Sequence, residues 1–433
     1  MAKSASASSS DPAKKSAPGT VGGVTGSPGD VPPVAAGRGD FLLGGAVRLT
    51  DLAGPGLHQV LARLRAAEPV SWLPVLDGWL VTRYDLALRV LRDSATFTVD
   101  DPRFSTARVV GPSMLSLDGA AHDRHRRPFG GPFSPPQVRD RLAGFVTAEA
   151  DRMVAAVRPA GQAELRRSLA GPLATVVVAH LLGLSATPPQ VILGWYDAIV
   201  AAVSELAGAP RAAPAPAGST AFGQLAGQLR AVIAADEPGQ SLLAAAAQHV
   251  GRYGGLSTDE AVSNAAVLMF GGIETTEGMI TNAAWHLLSH PDQLQLVRDD
   301  PDLLPNAIEE SLRLEPAAAV VDRYATRDLL LGEAAVRQGD LVTVSLAGAG
   351  RDPAVFTDPD RFAVQRENAN RHLAFARGPH FCLGVHLARL EAHAALAALL
   401  PLPGLRPGPD GATPPVGLVF RKPAALPVRW AAG

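Results

Sequence analysis

Cysteine is almost absent from the sequence: Cys382 is the single example in 433 residues. One cysteine excludes an internal disulfide framework and suits a reducing compartment, so we expect a cytoplasmic protein. It also excludes a structural zinc site built on cysteine pairs, because such a site takes about four ligands at short spacing. Two interpretations of Cys382 remain, a small core residue and a metal ligand.

The sequence also lacks an excess of charge of either sign and a long apolar run near its N terminus. Its 39 basic and 41 acidic residues leave a net charge of −2, which gives no general attraction to nucleic acid or to a membrane surface. No run of about 18 apolar residues begins the chain, so no membrane anchor is predicted there. We therefore expect neither nucleic acid nor a membrane as a partner.

Large apolar residues are nearly missing from residues 1–38, which are mainly Ser, Ala, Gly, Pro and Lys. Such a segment cannot offset the entropy cost of ordering, and we predict a disordered tail. A targeting peptide is the alternative, but the segment lacks an Arg-rich amphipathic pattern. Residues 39–433 are predicted to form one domain, although the length alone also allows about three.

Helices dominate the predicted secondary structure. Apolar periods predict helices at 57–68 and 84–92, flanking a hairpin with strands at 70–73 and 79–82. Residues 97–118 show no clear period and are predicted to be a long loop, functional or mobile, whereas the Pro- and Ala-rich residues 206–218 are typical of a mobile connector. The predicted class is mainly α with a small β region.

The segment around Cys382 reads FARGPHFCLG and precedes an apolar helix predicted from Gly384 to Leu400. Gly378 and Pro379 indicate a tight, stiff loop. The dipole of the following helix and the free amides of its first turn are expected to lower the pKa of the thiol. This environment favours a thiolate that binds a metal.

A second unusual segment lies inside a long predicted helix, which begins at a capping box, Ser257-Thr-Asp-Glu260, and ends near Ser289. Gly271 and Gly272 lie in its middle, where each costs about 1 kcal/mol. Close helix packing is one explanation. The other is a notch in the helix, because the Thr275 hydroxyl can bond the carbonyl of Gly271 four residues earlier.

These two segments together resemble the cytochrome P-450 (haem-thiolate) family, over a stretch from about Leu57 to the C terminus. The matching residues are Phe375, Gly378, His380, Cys382 and Gly384 in the cysteine-ligand loop, and Gly271, Gly272, Glu274 and Thr275 in the (Ala/Gly)-Gly-x-(Asp/Glu)-Thr signature. The resemblance implies a trigonal, mostly α fold, haem b with Cys382 as the axial thiolate on iron, and proton transfer by Thr275 and Glu274. Family members commonly carry Gly where this chain has Ala376, and a positive φ there would cost on the order of 1 kcal/mol.

Further matches imply how haem and the core would be held. His122 and Arg126 resemble the family's His-x-x-x-Arg signature. The implied haem contacts are His122, Arg126, Gly271, Gly272, Arg323, Phe375, His380 and Gly384, with His372 a weaker candidate. Glu310, Arg313 and Arg361 resemble a buried charge cluster that supports the cysteine loop. His380 and His372 could equally be solvated loop residues.

The candidate substrate pocket is apolar. Its predicted lining consists of Met114, Leu115, Val267, Phe270, Ile273, Ala318, Val320 and Leu418. Such a lining favours a hydrophobic small molecule, and natural-product tailoring is one compatible role.

The resemblance thus implies a soluble bacterial monooxygenase that uses O2 and two electrons. No flavin or nicotinamide fingerprint follows the haem region, so we expect a separate ferredoxin and ferredoxin reductase, docking at Arg124, Arg127 and Arg377. A peroxide-driven haem enzyme and a non-enzymatic haem gas-binding or electron-transfer protein remain as alternatives. The retained Glu274 and Thr275 argue against the first, because family peroxygenases replace this pair.

Overall fold

A computed structural model describes residues 36–208, 213–235, 241–243, 255–409 and 411–431. Helices account for most of the regular structure, which confirms the predicted mainly α class. The α-helices are Leu42–Gly45, Leu49–Ala53, Leu57–Ala67, Tyr84–Arg92, Ser105–Val110, Gly119–Gly130, Pro135–Val157, Gly171–Leu182, Pro189–Gly208, Pro216–Ala235, Thr258–Ser289, Pro291–Asp299, Leu304–Leu314, Leu346–Ala349 and Val385–Leu399.

The strands form three small sheets. They are β1 (Val70–Leu73), β2 (Gly78–Val81), β3 (Phe97–Thr98), β4 (Gln162–Glu164), β5 (Val320–Ala325), β6 (Leu329–Leu331), β7 (Ala334–Val336), β8 (Leu341–Ser345), β9 (Arg406–Pro407) and β10 (Pro427–Arg429). One sheet has the order β1-β2-β8-β5-β3, the second β4-β10-β9, and the third pairs β6 with β7.

The predicted hairpin is confirmed as β1 and β2, which pair antiparallel with Val70 opposite Val81. The turn differs in detail, because Asp77 adopts a φ of 47° and Gly78 already begins β2. A Cβ at Gly78 would lie 3.0 Å from Leu341 on the parallel neighbour β8. Gly78 therefore serves sheet packing rather than the turn.

Several predicted segments have other boundaries in the structure. The loop expected at residues 97–118 contains β3 and the helix Ser105–Val110, whose six residues are too few to show a helical period. The predicted tail lies outside the described residues except for its last three, of which Ala36 bridges to Ala334. The predicted connector at 206–218 lies partly outside them, at 209–212.

The helix Thr258–Ser289, called the central helix below, positions the rest of the site. Its predicted capping box is present: Ser257 Oγ accepts from the Glu260 amide at 3.2 Å, and Glu260 Oε2 accepts from the Ser257 amide at 2.8 Å. The helix packs against Gly171–Leu182, Leu304–Leu314 and Val385–Leu399. Burial on these sides explains why it is apolar around most of its circumference.

The helix after Cys382 is apolar for the same reason. By length and composition, Gly378–Leu399 is the one described segment that could cross a membrane, with a mean hydropathy of 1.2 and 44% of that window buried. Its helix packs against the central helix and against Pro135–Val157. Core packing therefore accounts for its hydropathy.

A buried charge cluster lies where the sequence predicts it, but with a different third member. Glu310 and Arg313 have fully buried side chains and form two hydrogen bonds of 2.6 and 2.8 Å. The second cation on Glu310 is Arg366, whose Nε lies 2.9 Å from Oε1. Arg361 has an exposed side chain and contributes its carbonyl oxygen, which accepts from Arg313 and Arg366 at 3.1 Å. The assignment of Arg361 as the charge partner is therefore wrong.

Candidate active site

An apolar cavity lies between the central helix and the cysteine loop. Twelve of the predicted site residues line it: Met114, Leu115, Arg126, Val267, Gly271, Gly272, Thr275, Ala318, Phe375, His380, Cys382 and Gly384. These residues come from five separate parts of the sequence. The fold thus brings the predicted thiol, the predicted notch and most of the predicted pocket to one place.

The cysteine loop is held in a strained and tightly packed conformation. The Cys382 amide donates to the Phe375 carbonyl at 2.9 Å. Ala376 has a φ of 57°, the positive value that the sequence comparison raised as a possibility. At Gly378, with φ 75°, a Cβ would lie 2.4 Å from the Leu91 carbonyl oxygen, so only glycine fits.

The electrostatics of Cys382 differ from the sequence expectation. Burial raises the pKa of the thiol, and the Gly384 amide and the charges of Arg126 and Arg389 offset this only in part. The prediction of a lowered pKa is therefore wrong for the protein alone, because desolvation of a thiolate outweighs the helix terminus. A bonded cation on sulfur is what would favour the thiolate here.

Cationic and imidazole groups gather at one edge of the cavity. Arg126 Nη2 donates to the Phe381 carbonyl at 2.5 Å, and His380 Nε2 lies 2.8 Å from Asp118 Oδ1. The rings of His122 and His380 are 4.5 Å apart. His122 Nε2 is buried without a hydrogen-bond partner, and burial lowers the pKa of His122, with the charges of His380 and Arg126 adding to the effect.

Two other candidates for this edge do not line the cavity, although Arg323 lies on the same face of β5 as Val321 and its charge interacts with Asp118, the partner of His380. Arg323 is 5% exposed, donates to the Asp322 carbonyl at 2.7 Å and does not line the cavity. His372 is buried with Nε2 3.2 Å from Glu309 Oε2, and its Nδ1 accepts from the Ala374 amide at 3.1 Å. Both nitrogens of His372 are thus engaged in holding the loop, and the structure gives no support for it as a cofactor contact.

The two glycines at the predicted notch have different roles. Thr275 Oγ1 donates to the Gly271 carbonyl at 2.5 Å. A Cβ at Gly272 would lie 2.6 Å from Val178, so this glycine permits close helix packing. A Cβ at Gly271 would meet nothing within 4 Å, and Gly271 instead leaves space beside the cavity.

The central helix presents only one face to the cavity, and this corrects two pocket assignments. The lining positions are Val267, Leu268, Gly271, Gly272, Thr275, Thr276 and Met279, which follow the helical period. Phe270 and Ile273 point away and pack in the apolar cluster with Ile192 and Ile199. The assignment of Phe270 and Ile273 to the pocket ignored the helical period, which places Ile273 on a different side of the helix from Val267 and Thr275.

Glu274 also lies off the cavity face. Its Oε1 is 2.7 Å from Lys422 Nζ, which in turn lies 2.9 Å from Glu277 Oε2. Arg166 completes the cluster through an ion pair with Glu277. Glu274 is 6% exposed, so the two residues expected to act together face different surroundings, Thr275 the cavity and Glu274 a buried ion-pair cluster.

The assignments of Val320 and Leu418 to the pocket lining are also wrong. On β5 the cavity is lined by Val321, and Val320 points to the opposite side because neighbouring strand residues alternate. Leu418 packs beside the cluster that contains Leu57 and Leu61.

Sequence inspection missed two ionisable groups, Glu391 and Lys422. Glu391, two turns along Val385–Leu399, lines the cavity with Oε2 unpartnered, and burial raises its pKa well above the usual value. Its apolar helical neighbours were a detectable signal. Lys422 gave no signal, because it meets Glu274 only through the tertiary fold.

The three cations assigned to a docking surface are not equivalent. Arg124 is paired with Glu260, with Nη1 2.9 Å from Oε2, so its charge is largely offset. Arg127 is exposed. Arg377 donates to the carbonyls of Ala376 and His372, both at 2.9 Å.

Comparison with known proteins gives a consistent result. The family model "Cytochrome P450" matches residues 239–402. The chain is 36% identical over 394 residues to cytochrome P450 monooxygenase PikC of Streptomyces venezuelae, covering 87% of this chain and 91% of PikC. It is 35% identical over 393 residues to nocardicin C N-oxygenase of Nocardia uniformis subsp. tsuyamanensis, covering 86% and 96%. Among solved structures, CalO2 superposes with a TM-score of 0.80 at 31% identity, covering 87% and 96%.

The residues present fit the haem b that this family carries. Within the described ranges no group of three or more His, Cys, Asp or Glu could hold a metal ion. The apolar walls, the thiol of Cys382 and the unpartnered nitrogen of His122 at the cationic edge fit its ring, iron and carboxylates. The chain therefore belongs to the cytochrome P450 family and is a haem b monooxygenase related to enzymes of bacterial secondary metabolism.

Proposed function

We propose that Cys382 is the thiolate ligand of haem iron and that the enzyme uses O2 to oxidise a hydrophobic small molecule. The carrying observation is that Cys382 and the Gly271–Thr275 hydrogen bond line the same apolar cavity. When bound there, haem supplies an iron centre that activates dioxygen. The following roles belong to the side chains around it.

His122, Arg126 and His380 would hold the haem carboxylates. Arg126 and His380 line the cavity, and the His122 ring lies beside that of His380, tilted by 53°, with Nε2 unpartnered. The carboxylates would supply the acceptor that His122 Nε2 lacks, since a buried donor without a partner costs about 1–3 kcal/mol. Asp118 holds His380 in place from the other side.

Thr275 and Glu274 would deliver protons. The Thr275 hydroxyl holds its proton toward the Gly271 carbonyl and can turn toward the cavity, which Gly271 leaves open. Glu274 lies behind it, joined to Lys422, whose side chain is 11% exposed. We propose that protons reach the cavity from this cluster through Glu274 and Thr275.

The substrate would be apolar and of the natural-product class. Most of the cavity lining is apolar and includes Met114, Leu115, Val267, Leu268 and Ala318, and such a lining favours an apolar ligand. Support for the natural-product class is that a relative, nocardicin C N-oxygenase, is named for a metabolite.

Electrons would come from a separate ferredoxin, reduced by a ferredoxin reductase, in the cytoplasm. The docking surface we propose is centred on Arg377 in the cysteine loop and on the exposed Arg92, whose Cα would lie 3.0 Å from a Cβ at Gly378. Arg389 is left out, since Glu309 already pairs with it. Arg127 is exposed and extends the surface. Arg124 is excluded from this proposal, since Glu260 already neutralises it.

The test is the carbon monoxide difference spectrum of the reduced protein, beside the same spectrum of Cys382→Ala. A red-shifted thiolate-type Soret band in the parent protein and its loss in the variant are expected. A band typical of neutral His ligation in both would refute the assignment of Cys382.

Turnover with O2, ferredoxin and reductase should then exceed turnover with hydrogen peroxide. The opposite order would favour the peroxide-driven alternative.

A further inference from the structure

A buried amide links the central helix to the cavity wall. Asn264, nearly two turns into the central helix, is 0% exposed. Its Oδ1 accepts from the backbone amide of Met114 at 2.8 Å. Its Nδ2 donates to the Glu260 carbonyl at 2.7 Å and lies 2.9 Å from His125 Nδ1. All of its polar atoms are therefore engaged.

These contacts fix the orientation of the amide. The Met114 amide requires an acceptor and the Glu260 carbonyl requires a donor, so Oδ1 and Nδ2 cannot exchange places. It follows that His125 Nδ1 accepts from Nδ2 and that the proton of the neutral ring lies on Nε2. That nitrogen is 3.3 Å from Glu260 Oε1, which can accept its proton, and 3.2 Å from Arg124 Nη2, which cannot. His125 is 1% exposed, so water does not compete for either nitrogen.

The segment held by Asn264 is otherwise closed on itself. The Ser113 amide donates to Ser116 Oγ at 3.1 Å, and the Ser116 amide donates to the Ser113 carbonyl at 3.0 Å. Just before this turn, Gly111 has a φ of 86° and comes so close to the central helix that a Cβ would lie 3.0 Å from Ser263 Oγ. Ser263 directly precedes Asn264, so the turn that carries Met114 packs against the central helix beside Asn264.

The position of this turn sets the shape of the cavity. Met114 and Leu115 both line it. On its other side, His125 neighbours Arg126 on the helix Gly119–Gly130, and Arg126 bonds the cysteine loop. One amide therefore joins the substrate-facing wall to two helices that border the cofactor.

We propose that Asn264 is a positioning residue that fixes Met114 and Leu115 in the wall of the substrate cavity, with His125 holding its amide in the productive orientation. This inference rests on the proposed function, because it takes the cavity to be the substrate site. Losing the amide would free the wall and relax selection of ligands by size, while small ligands that do not reach the wall would bind as before.

The test compares Asn264→Leu with Asn282→Leu. Asn282 is a matched control, because it is equally buried in the same helix and donates two hydrogen bonds, to the carbonyls of Glu315 and Arg421, neither of which lines the cavity. Hydrogen exchange is measured on a peptide that spans residues 111–117. We expect exchange of the Met114 amide to speed up about tenfold or more in Asn264→Leu and to stay unchanged in Asn282→Leu. Equal rates in all three proteins, or equal increases in both variants, would overturn the proposal.

A second arm measures ligand selection through the ferric Soret shift with imidazole and with clotrimazole. The ratio of their dissociation constants should change about tenfold in Asn264→Leu only, and an unchanged ratio would remove the claim about the wall. His125→Leu should raise Met114 exchange by a smaller factor, and no rise would remove His125 from the proposal. The exchange measurement does not depend on thiolate ligation, so failure of the Cys382 assignment would appear in the carbon monoxide spectrum alone.

Discussion

Replacing Arg366 by Met should destabilise the protein far more than replacing Arg361 by Met. Glu310 is fully buried and binds two cations, Arg313 through two hydrogen bonds and Arg366 through Nε at 2.9 Å. Arg366 also donates to the carbonyls of Thr357 at 2.6 Å and Asp358 at 3.1 Å. Removing it leaves a buried carboxylate with one cation and two carbonyls without their donor.

The magnitude follows from burial. Removing one partner of a buried ion pair costs about 3–5 kcal/mol, and because Arg313 still binds Glu310 we expect the lower end, about 3 kcal/mol. Arg361→Met removes an exposed side chain and keeps the carbonyl that the cluster uses, so its effect should stay within about 0.5 kcal/mol. Against a total stability of about 5–15 kcal/mol, the two outcomes are easily separated.

Urea unfolding of the haem-loaded protein, followed by tryptophan fluorescence, measures both variants. Arg366→Lys serves as a control that keeps the charge and should recover part of the loss. An equal loss of unfolding free energy in Arg361→Met and Arg366→Met would refute the assignment of Arg366 as the second cation on Glu310. It would also refute the claim that Arg361 contributes only its carbonyl to the cluster.

Three further outcomes follow from single positions. Ala376→Gly should stabilise the protein by about 0.5–1 kcal/mol in the same unfolding assay, because it relieves a φ of 57° at some entropic cost; destabilisation would contradict this. Gly271→Ala should stabilise by up to about 1 kcal/mol, whereas Gly272→Ala should destabilise because its methyl would lie 2.6 Å from Val178; equal effects would contradict the separation. Burial lowers the pKa of His286 to about 3, and since the unfolded chain binds the proton near 6.5, stability should fall as pH drops from about 6.5 toward 3. His286→Gln should flatten that dependence, and an unchanged slope would assign it to other groups.

Features that depend on residues close in the chain were predictable. The capping box at Ser257 and the bond from Thr275 to Gly271 follow from spacing within one helical turn. The positive φ at Ala376 was raised by comparison with the glycine that the family commonly carries there. The misplacement of Phe270 and Ile273 was avoidable, because the helical period already separates them from Thr275.

Partners that meet only through tertiary packing were not predictable. Arg366 replaces Arg361 because the turn at Asp358, with a φ of 46°, sends the chain back past Glu310. Sequence spacing carries no information about that reversal. The same holds for Asn264 and Met114, whose contact requires the turn at Gly111 to seat against the central helix.

Lys422 is the remaining group through which the proposed proton route can be tested. Its Nζ bridges Glu274 and Glu277, but Glu277 also has Arg166, so Lys422→Met leaves Glu274 as the unpaired member. An unpaired buried carboxylate is disfavoured, so the Glu274 side chain should leave its position beside Thr275. Haem binding should be unaffected. We expect the carbon monoxide spectrum to be unchanged. With a surrogate ferredoxin and reductase, the hydrogen peroxide released per electron should rise several-fold, because positioned proton donors contribute about 10²–10⁴ in rate. Lys422→Arg should restore most of the parent value. If peroxide release and the solvent isotope effect were the same in Lys422→Met as in the parent protein, protons would have to reach the cavity by a route that avoids Glu274, and the ion-pair cluster would be structural only.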